Sequence, residues 1–202
     1  MVRVVETIIT LAIFLFSVIL HEISHGYAAL ALGDPTAKRA GRLTLNPISH
    51  LDPFGSVLFP LLLYLTGSRI LFGWAKPVPV DGSYLRGGKF GMLKVALAGP
   101  ASNIALAFAF GTLIRTGIFP GAMEGIMATI VYINLMLAVF NLLPIPPLDG
   151  SHIVFAFLPS SLDAVKVFMA RYGFLLLLIF LFSGLRLLSP AISFLFWIFT
   201  GI

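Results

Sequence analysis

The sequence predicts an all-α, multi-pass membrane protein of about six transmembrane or re-entrant helices with a small membrane-associated β element. Its composition is the first reason, because 59% of the 202 residues are hydrophobic, 10% are charged and the mean hydropathy is +1.04. A soluble domain is typically about half apolar and a quarter charged. The second reason is the succession of long apolar runs, and the third is a pair of short segments with the pattern of strands.

The first apolar run covers residues 5–32 and stops at Gly33-Asp34-Pro35, a typical helix-ending sequence. Arg3 precedes the run, but no small-residue cleavage site follows it, which argues against a cleavable signal peptide. Residues 42–46 alternate like a short strand. Residues 54–65, extending weakly to 72, are short for a span and predict a tilted or re-entrant helix. The alternate prolines in residues 73–80 forbid a helix and predict an edge strand.

Further apolar runs at residues 90–114, 126–143, 172–183 and 187–200 predict four more membrane helices. A polar loop that contains Asp163, Lys166 and Arg171 is expected before the last two, which we interpret as scaffold. The length suits a single domain over residues 1–202, with a catalytic core at about 5–152 and scaffold helices at about 172–200.

Charge and cysteine content exclude several classes of site. There are no cysteines, so any metal must be bound by histidine and carboxylate, and disulfides are excluded. The net charge of +5 does not indicate nucleic-acid binding, because the 13 Lys and Arg residues are spread through loops. There they are better explained as determinants of topology.

The first apolar run contains the motif His-Glu-x-x-His, with His21 and His25 on one face of the predicted helix. This spacing lets two imidazoles bind one zinc ion, and Glu22 can act as a general base toward water. The alternative is that these groups are polar residues of helix packing. Ionisable side chains in a membrane segment are costly unless they line a cavity, which favours the zinc site. His25 lies on the order of 10 Å inside the end of the helix.

The apolar run at residues 126–143 ends in a proline-rich segment with a third candidate ligand, Asp149. Irregular backbone at membrane depth is tolerated only beside a cavity or inside protein. Asp149 can therefore complete a His, His, Asp set with a fourth position left for water, although Asp149-Gly150 is also a common turn sequence. The downstream Glu124 lies in a Gly-rich segment expected to be a loop between spans, which argues against a glutamate as third ligand.

Other polar residues have weaker assignments. Asn103 or Asn141 can supply a hydrogen bond to a developing oxyanion. Gly99 and its small neighbours fit helix packing and a site role equally well. His152 is a candidate for a partner of a ligand, whereas His50 is expected at the surface or at a helix cap.

Three motifs in this order, HEISHG at residues 21–26, GPASN at 99–103 and NLLPIPPLDG at 141–150, resemble those of the site-2 protease family of intramembrane zinc metalloproteases. The resemblance implies a zinc ion held by His21, His25 and Asp149, Glu22 as catalytic base and Asn141 near the substrate. It implies cleavage of transmembrane proteins, in a short form without PDZ or CBS domains. Alternatives are a catalytically silent relative that binds membrane helices and a membrane zinc carrier.

The distribution of positive charge predicts the orientation in the bilayer. If the first span runs outward to inward, nine of the 13 basic residues can lie in the cytoplasm, in the direction of the positive-inside rule. The prediction is a multi-pass protein of a prokaryotic plasma membrane, with about one zinc ion per chain and its active site toward the cytoplasm. The sequence leaves open the substrate, the need for a prior cleavage, the oligomeric state and the source organism.

Overall fold

Apolar helices make up most of the structure. The computed structural model describes residues 2–58, 61–62, 65–66 and 76–202. Its α-helices are α1 (Val2–Ala31), α2 (Thr36–Arg39), α3 (Lys89–Arg115), α4 (Ala122–Asn141), α5 (Asp149–Phe157), α6 (Asp163–Ser183) and α7 (Ser189–Thr200). Short 3-10 turns lie at Pro47–His50, Ser160–Leu162 and Leu185–Leu187, and a π-helical turn lies at Pro53–Leu58.

Within the described residues, four helical stretches are long and apolar enough to cross a membrane: Arg3–Ala31, Lys89–Arg115, Ala122–Asn141 and Ser160–Ser183. A shorter apolar stretch covers Leu185–Thr200. The multi-pass helical class is therefore confirmed, whereas six spans are not. The predicted helix at residues 54–72 begins as the π-helical turn, and most of the remainder lies outside the described residues.

Helix α1 ends where the sequence predicts, because Gly33 adopts a φ of 107° that favours glycine. Its first half is largely exposed, as expected for a surface that faces lipid, and its second half is buried by α3 and α4. Ile19 and Ala29 are among the buried residues of that second half. This packing places residues 17–29 of α1 at the centre of the molecule.

Helices α3, α4 and α7 share an apolar core that includes Ala107, Val131, Leu135 and Ile192. Gly111 lets α3 approach α7 closely, since a Cβ there would lie 2.9 Å from the carbonyl oxygen of Phe199. The core supports α3 and α4, the two helices that pack against α1.

The described residues contain no strand, so the predicted β element is not confirmed. Residues 42–46 form a bend and irregular chain, because local hydrogen bonds replace a strand ladder. The Asn46 side chain accepts from the Ile48 N–H, and the Thr44 carbonyl oxygen accepts from His50 Nε2 at 2.8 Å. Residues 76–80 form no regular secondary structure, and residues 73–75 of that predicted strand lie outside the described part.

Two predictions about loops were wrong. Asp163, Lys166 and Arg171 belong to helix α6, where Lys166 Nζ lies 2.7 Å from Asp163 Oδ1 one turn away. Glu124 lies in the first turn of α4, where the helix dipole stabilises a carboxylate. Both predicted loops are therefore parts of helices whose first turn contains an acidic residue.

Asp34 connects the end of α1 to the segment at residues 76–81 through hydrogen bonds. Its side chain is fully buried and accepts hydrogen bonds from Thr36 N–H at 2.9 Å and from Asp81 N–H at 2.7 Å. Burial raises the pKa of the Asp34 carboxyl, but the hydrogen bonds from Thr36 and Asp81 outweigh it, and the pKa lies below its ordinary value. The ionised carboxylate therefore holds this junction.

The sequence predicts His50 at the surface or at a helix cap, but the structure buries its side chain, which is 2% exposed. Its Nε2 atom donates to the Thr44 carbonyl oxygen, and its own carbonyl oxygen accepts from Lys76 N–H at 2.9 Å. These bonds bury the ring between the residues after α2 and the segment at residues 76–81. His50 lies outside the cluster that holds His21 and His25.

Candidate metal centre

Three side chains that can bind a metal converge beside α1. His21 Nε2 and His25 Nε2 are 3.0 Å apart, and Asp149 Oδ2 lies 3.1 Å from the first and 3.3 Å from the second. Both histidines are buried, and the Asp149 side chain is 17% exposed. The structure thus brings together the three ligands that the sequence predicts.

Helix geometry and a tightly packed loop produce this convergence. One turn of α1 separates His21 from His25 and places both imidazoles on one face. Asp149 occupies the first turn of α5, and a Cβ at Gly150 would overlap the Leu142 carbonyl oxygen at the end of α4. From the other side, Gly173 of α6 packs against the backbone of Pro146. The loop at residues 142–148, which leads to Asp149, is thus packed against both α5 and α6.

Hydrogen bonds to the two Nδ1 atoms set the tautomers of the histidines. His25 Nδ1 lies 2.7 Å from the Val95 carbonyl oxygen, and His21 Nδ1 lies 2.6 Å from Asn103 Oδ1. Both partners are acceptors, so each Nδ1 carries the hydrogen and each Nε2 presents a lone pair. The two lone pairs and the Asp149 carboxylate face one another.

This donor set fits a divalent cation. Three acceptors within 4.8 Å of one another repel unless a cation lies between them. Asp149 Oδ2 is buried and receives no hydrogen bond from the described residues. Two neutral imidazoles and one carboxylate are the ligand types that zinc accepts, and a hydrogen bond to the distal nitrogen of each imidazole is the usual support of such ligands.

Gly99 borders the space between the ligands. A Cβ at this position would overlap the Nε2 atoms of both His21 and His25. The close approach of α3 to the imidazoles therefore requires a residue without a side chain. The sequence alone did not decide whether Gly99 serves helix packing or the site. Pro100 follows it inside α3 and is fully buried.

Glu22 lies next to the ligands and is half-buried. Its Oε2 atom accepts a hydrogen bond from the Val78 N–H at 2.8 Å, and Oε1 accepts none from the described residues. Val78 lies in the extended segment that Asp34 anchors through Asp81. One carboxylate oxygen is thus held by backbone and the other can bind water.

The remaining predicted residues occupy different surroundings. Asn103 is fully buried, and its oxygen faces His21 while its two N–H groups donate to Asn134 Oδ1 and to the Ser17 carbonyl oxygen, so it supports a ligand and has no free donor for an oxyanion. Asn141 is half-buried and donates to the Leu137 carbonyl oxygen of its own helix at 2.9 Å. His152 is exposed and forms no hydrogen bond with the described residues, because it lies on the outer side of α5. The structure thus gives it no contact with the ligands.

Sequence reasoning missed three groups near the ligands. Asn134 and Ser17 continue the hydrogen bonds beyond Asn103, and the Val95 carbonyl oxygen orients His25. Asn134 could have been found, because a carboxamide in an apolar span is costly and marks a functional or packing role. Ser17 could have been found too, since it lies one turn before His21 on the same helix face. A backbone carbonyl carries no such signal.

Comparison with known proteins agrees with this geometry. A model of peptidase family M50 matches residues 118–180, which include Asp149. YwhC of Bacillus subtilis (strain 168), named as a candidate zinc metalloprotease, is 38% identical over 170 residues, covering 79% of this chain and 74% of YwhC. The chain belongs to peptidase family M50.

Other relatives carry similar names. Rip2 of Mycolicibacterium smegmatis, also named as a candidate zinc metalloprotease, is 31% identical over 179 residues, covering 87% of this chain and 67% of Rip2. MJ0611 of Methanocaldococcus jannaschii is 51% identical over 65 residues, covering 30% of this chain and 32% of MJ0611. No solved structure matches the chain significantly.

Membership of family M50 confirms the resemblance to the site-2 protease family. It identifies the chain as a metalloprotease, and the names of the relatives identify zinc as the metal of the group. Together with the apolar helices, it also indicates a multi-pass membrane protein.

Proposed function

We propose that this protein is an intramembrane zinc metalloprotease that hydrolyses peptide bonds in or near the transmembrane segments of other membrane proteins. The observation that supports it most is the position of the donor cluster. His21 and His25 lie in the buried half of a helix long enough to cross a membrane, and Asp149 meets them from the first turn of α5. The proposed catalytic domain covers residues 1–202, with the core at about 5–152 and scaffold at about 172–200.

In this proposal His21, His25 and Asp149 hold one zinc ion per chain. When bound, zinc polarises a peptide carbonyl and makes water a stronger acid. The protein's own contribution is to hold the hydrogen of each imidazole on Nδ1, through Asn103 and the Val95 carbonyl oxygen, and to place the Asp149 carboxyl group beside the two Nε2 atoms. These residues therefore present a preorganised set of acceptors rather than one assembled on binding.

Glu22 is the proposed general base. The Val78 N–H holds Oε2 in place, which leaves Oε1 to take a proton from the attacking water and to give it to the leaving amine. Asn141 remains the proposed contact with the substrate, because its half-buried carboxamide binds only its own helix among the described residues. Asn103 is better assigned to the support of His21.

The proposed substrate is a transmembrane protein, whose helix must unwind locally because its backbone hydrogen bonds are satisfied internally. An unwound segment can pair with an extended chain. Residues 77–80 offer such a chain, but Pro77 and Pro79 have no N–H and Val78 N–H binds Glu22. Pairing in this segment therefore depends on Val80 N–H and the carbonyl oxygens.

A zinc carrier or a silent relative fits less well. A carrier needs several metal positions along a path, and the described residues contain one group of His and acidic side chains able to hold a metal. A silent relative would be expected to lack the base or a ligand, whereas Glu22, His21, His25 and Asp149 are all present.

The experiment compares cells that carry Glu22→Gln with cells that carry Glu6→Gln, a matched change at an exposed position of the same helix. Membrane-protein fragments that accumulate uncleaved are identified by mass spectrometry. We expect accumulation only with Glu22→Gln, because an amide cannot accept the proton from water and loss of such a base costs about 100-fold or more in rate. Equal fragment patterns in the two strains would contradict the proposal.

A further inference from the structure

A row of buried polar side chains continues from His21 away from the metal donors. Asn103 of α3 donates through Nδ2 to Asn134 Oδ1 of α4 at 2.8 Å. Asn134 in turn donates through Nδ2 to Ser17 Oγ of α1 at 3.0 Å and to the Ile130 carbonyl oxygen at 2.9 Å. Asn103 and Asn134 are both 0% exposed and Ser17 is 4% exposed. The row links the three helices that surround the site.

The donors and acceptors in this row permit one orientation of each carboxamide. Asn134 uses both of its N–H groups on Ser17 and Ile130, so its oxygen faces Asn103. The amino end of Asn103 must then point to Asn134, and its oxygen must point to His21 Nδ1, at 2.6 Å. A carboxamide has one donor end and one acceptor end, so the orientation of the first determines that of the second.

The orientation of Asn103 determines where His21 carries its hydrogen. With the oxygen of Asn103 facing Nδ1, the hydrogen is on Nδ1 and the Nε2 lone pair is free for a metal. If Asn103 were reversed, its N–H would face Nδ1 and the hydrogen would move to Nε2, where it would block metal binding. The Asn103 Nδ2 atom also donates to the Ser17 carbonyl oxygen, but at 3.5 Å, so the 2.8 Å hydrogen bond to Asn134 is the stronger determinant of this orientation.

We propose that Asn134 is a positioning residue of the metal site, which acts through Asn103 to hold His21 in the tautomer that binds zinc. Asn134 is fully buried and touches neither the ligands' Nε2 atoms nor any surface open to substrate. The inference rests on the zinc site proposed above. It adds a residue outside the three sequence motifs and assigns to it an effect on metal affinity.

The first test measures the zinc affinity of the purified full chain by competition with a chromogenic chelator. Asn134→Leu is expected to weaken zinc binding by about 10- to 100-fold, the usual effect of removing a partner that orients a ligand. The control is Thr129→Val, which also removes a polar group from α4. Among the described residues, that hydroxyl binds only the Gly125 carbonyl oxygen of its own helix. It should leave the affinity unchanged, and an unchanged affinity for Asn134→Leu would overturn the proposal.

The second test repeats Asn134→Leu in a chain that also carries Asn103→Asp. It distinguishes a role of Asn134 in orienting Asn103 from a role in packing. A carboxylate accepts from His21 Nδ1–H through either oxygen and has no wrong orientation. With Asp at position 103, Asn134→Leu should therefore weaken zinc binding by less than about threefold. An equal loss in both backgrounds would show a general packing role and overturn the proposal.

A conservative variant covers the case in which Asn134→Leu fails to fold. Asn134→Asp keeps the shape and an acceptor toward Asn103, so its zinc affinity should stay within about threefold of the unchanged chain. A loss of about tenfold or more in a folded Asn134→Asp protein would contradict the proposal. If the unchanged chain binds no zinc, the proposed function fails as well. If it binds zinc and the Asn134→Leu variant binds zinc equally well, only this inference fails.

Discussion

At the scale of single residues, the chemistry of the site depends on which atom of each side chain is left without a partner. The Nδ1–H of each histidine donates to an acceptor that lies away from the site, and one oxygen of Glu22 accepts from a backbone N–H. The atoms that remain are His21 Nε2, His25 Nε2, Asp149 Oδ2 and Glu22 Oε1. All of them are acceptors, which is the arrangement that a cation and an attacking water require.

Gly99 gives a test of how closely the helices must approach at the site. We expect Gly99→Ala to weaken zinc binding by at least about tenfold, because the added Cβ would overlap both Nε2 atoms and displace the imidazoles. The control is Gly125→Ala in α4, where a Cβ would meet no atom within 4 Å. The measurement is the same chelator competition. Normal zinc binding in Gly99→Ala would show that the ligands lie further from α3 than the structure places them.

At the scale of elements, the spans were predictable and their polar partners were not. The ends of α1, α3 and α4 agree with the hydropathy pattern to within a few residues, because apolar runs in lipid must satisfy their backbone hydrogen bonds internally. Pairing between Asn103 and Asn134 could not be predicted, since it depends on how α3 and α4 are rotated about their axes. The early start of α6 was missed because three charged residues, Asp163, Lys166 and Arg171, interrupt the apolar pattern of its first turns.

The strand prediction failed for a related reason. Residues 42–46 have the alternation of a strand, but an alternating pattern does not supply a partner strand. In the structure, side chains such as Asn46 satisfy nearby backbone groups, and His50 turns inward to bind Thr44. The burial of His50 could not be predicted from a residue type that is equally common at surfaces.

The junction at Asp34 makes a prediction about stability and pH. The folded pKa of Asp34 lies below its unfolded value of about 3.9. Its contribution is therefore present above that pH and is lost as the pH falls through the folded pKa. Asp34→Asn should lower the free energy of unfolding by about 1–3 kcal/mol at pH 7, and this difference should shrink below about pH 4.

The measurement is thermal or denaturant unfolding of the purified chain in detergent at pH 7 and at acidic pH. Asp163→Asn provides the control, because its pair with Lys166 is largely exposed and should contribute less than about 1 kcal/mol. A difference between Asp34→Asn and the unchanged chain that grows on acidification would have the opposite sign to this prediction.

At the scale of the whole molecule, the proposed orientation in the membrane can be tested with single cysteines, since the chain has none of its own. Ala40→Cys and Ser161→Cys introduce exposed thiols on the side where α1 ends and α6 begins. Both should react with an impermeant thiol reagent only after the cytoplasmic face is opened. Ala122→Cys, at the exposed start of α4, should react in intact cells. Labelling with the reverse pattern would invert the orientation.

This orientation follows from the positive-inside rule and agrees with the paths of the helices. The end of α1 lies beside the start of α3, since the Arg86 N–H donates to the Leu32 carbonyl oxygen at 2.9 Å. If α3 and α4 both cross the membrane, the end of α4 returns to that side, and Asp149 follows it there. Water would then reach the site from the cytoplasm. Cleavage would take place in a substrate segment unwound within the bilayer.

The zinc content of the purified protein tests the central claim most directly. Elemental analysis of the unchanged chain should find about one zinc ion per chain, and Asp149→Ala should lose most of it because two protein ligands cannot form the site. Asp163→Ala, which changes an exposed aspartate at the start of α6, should retain the metal. Zinc that remains at full content in Asp149→Ala, or that is absent from the unchanged chain, would contradict the assignment of His21, His25 and Asp149 as its ligands.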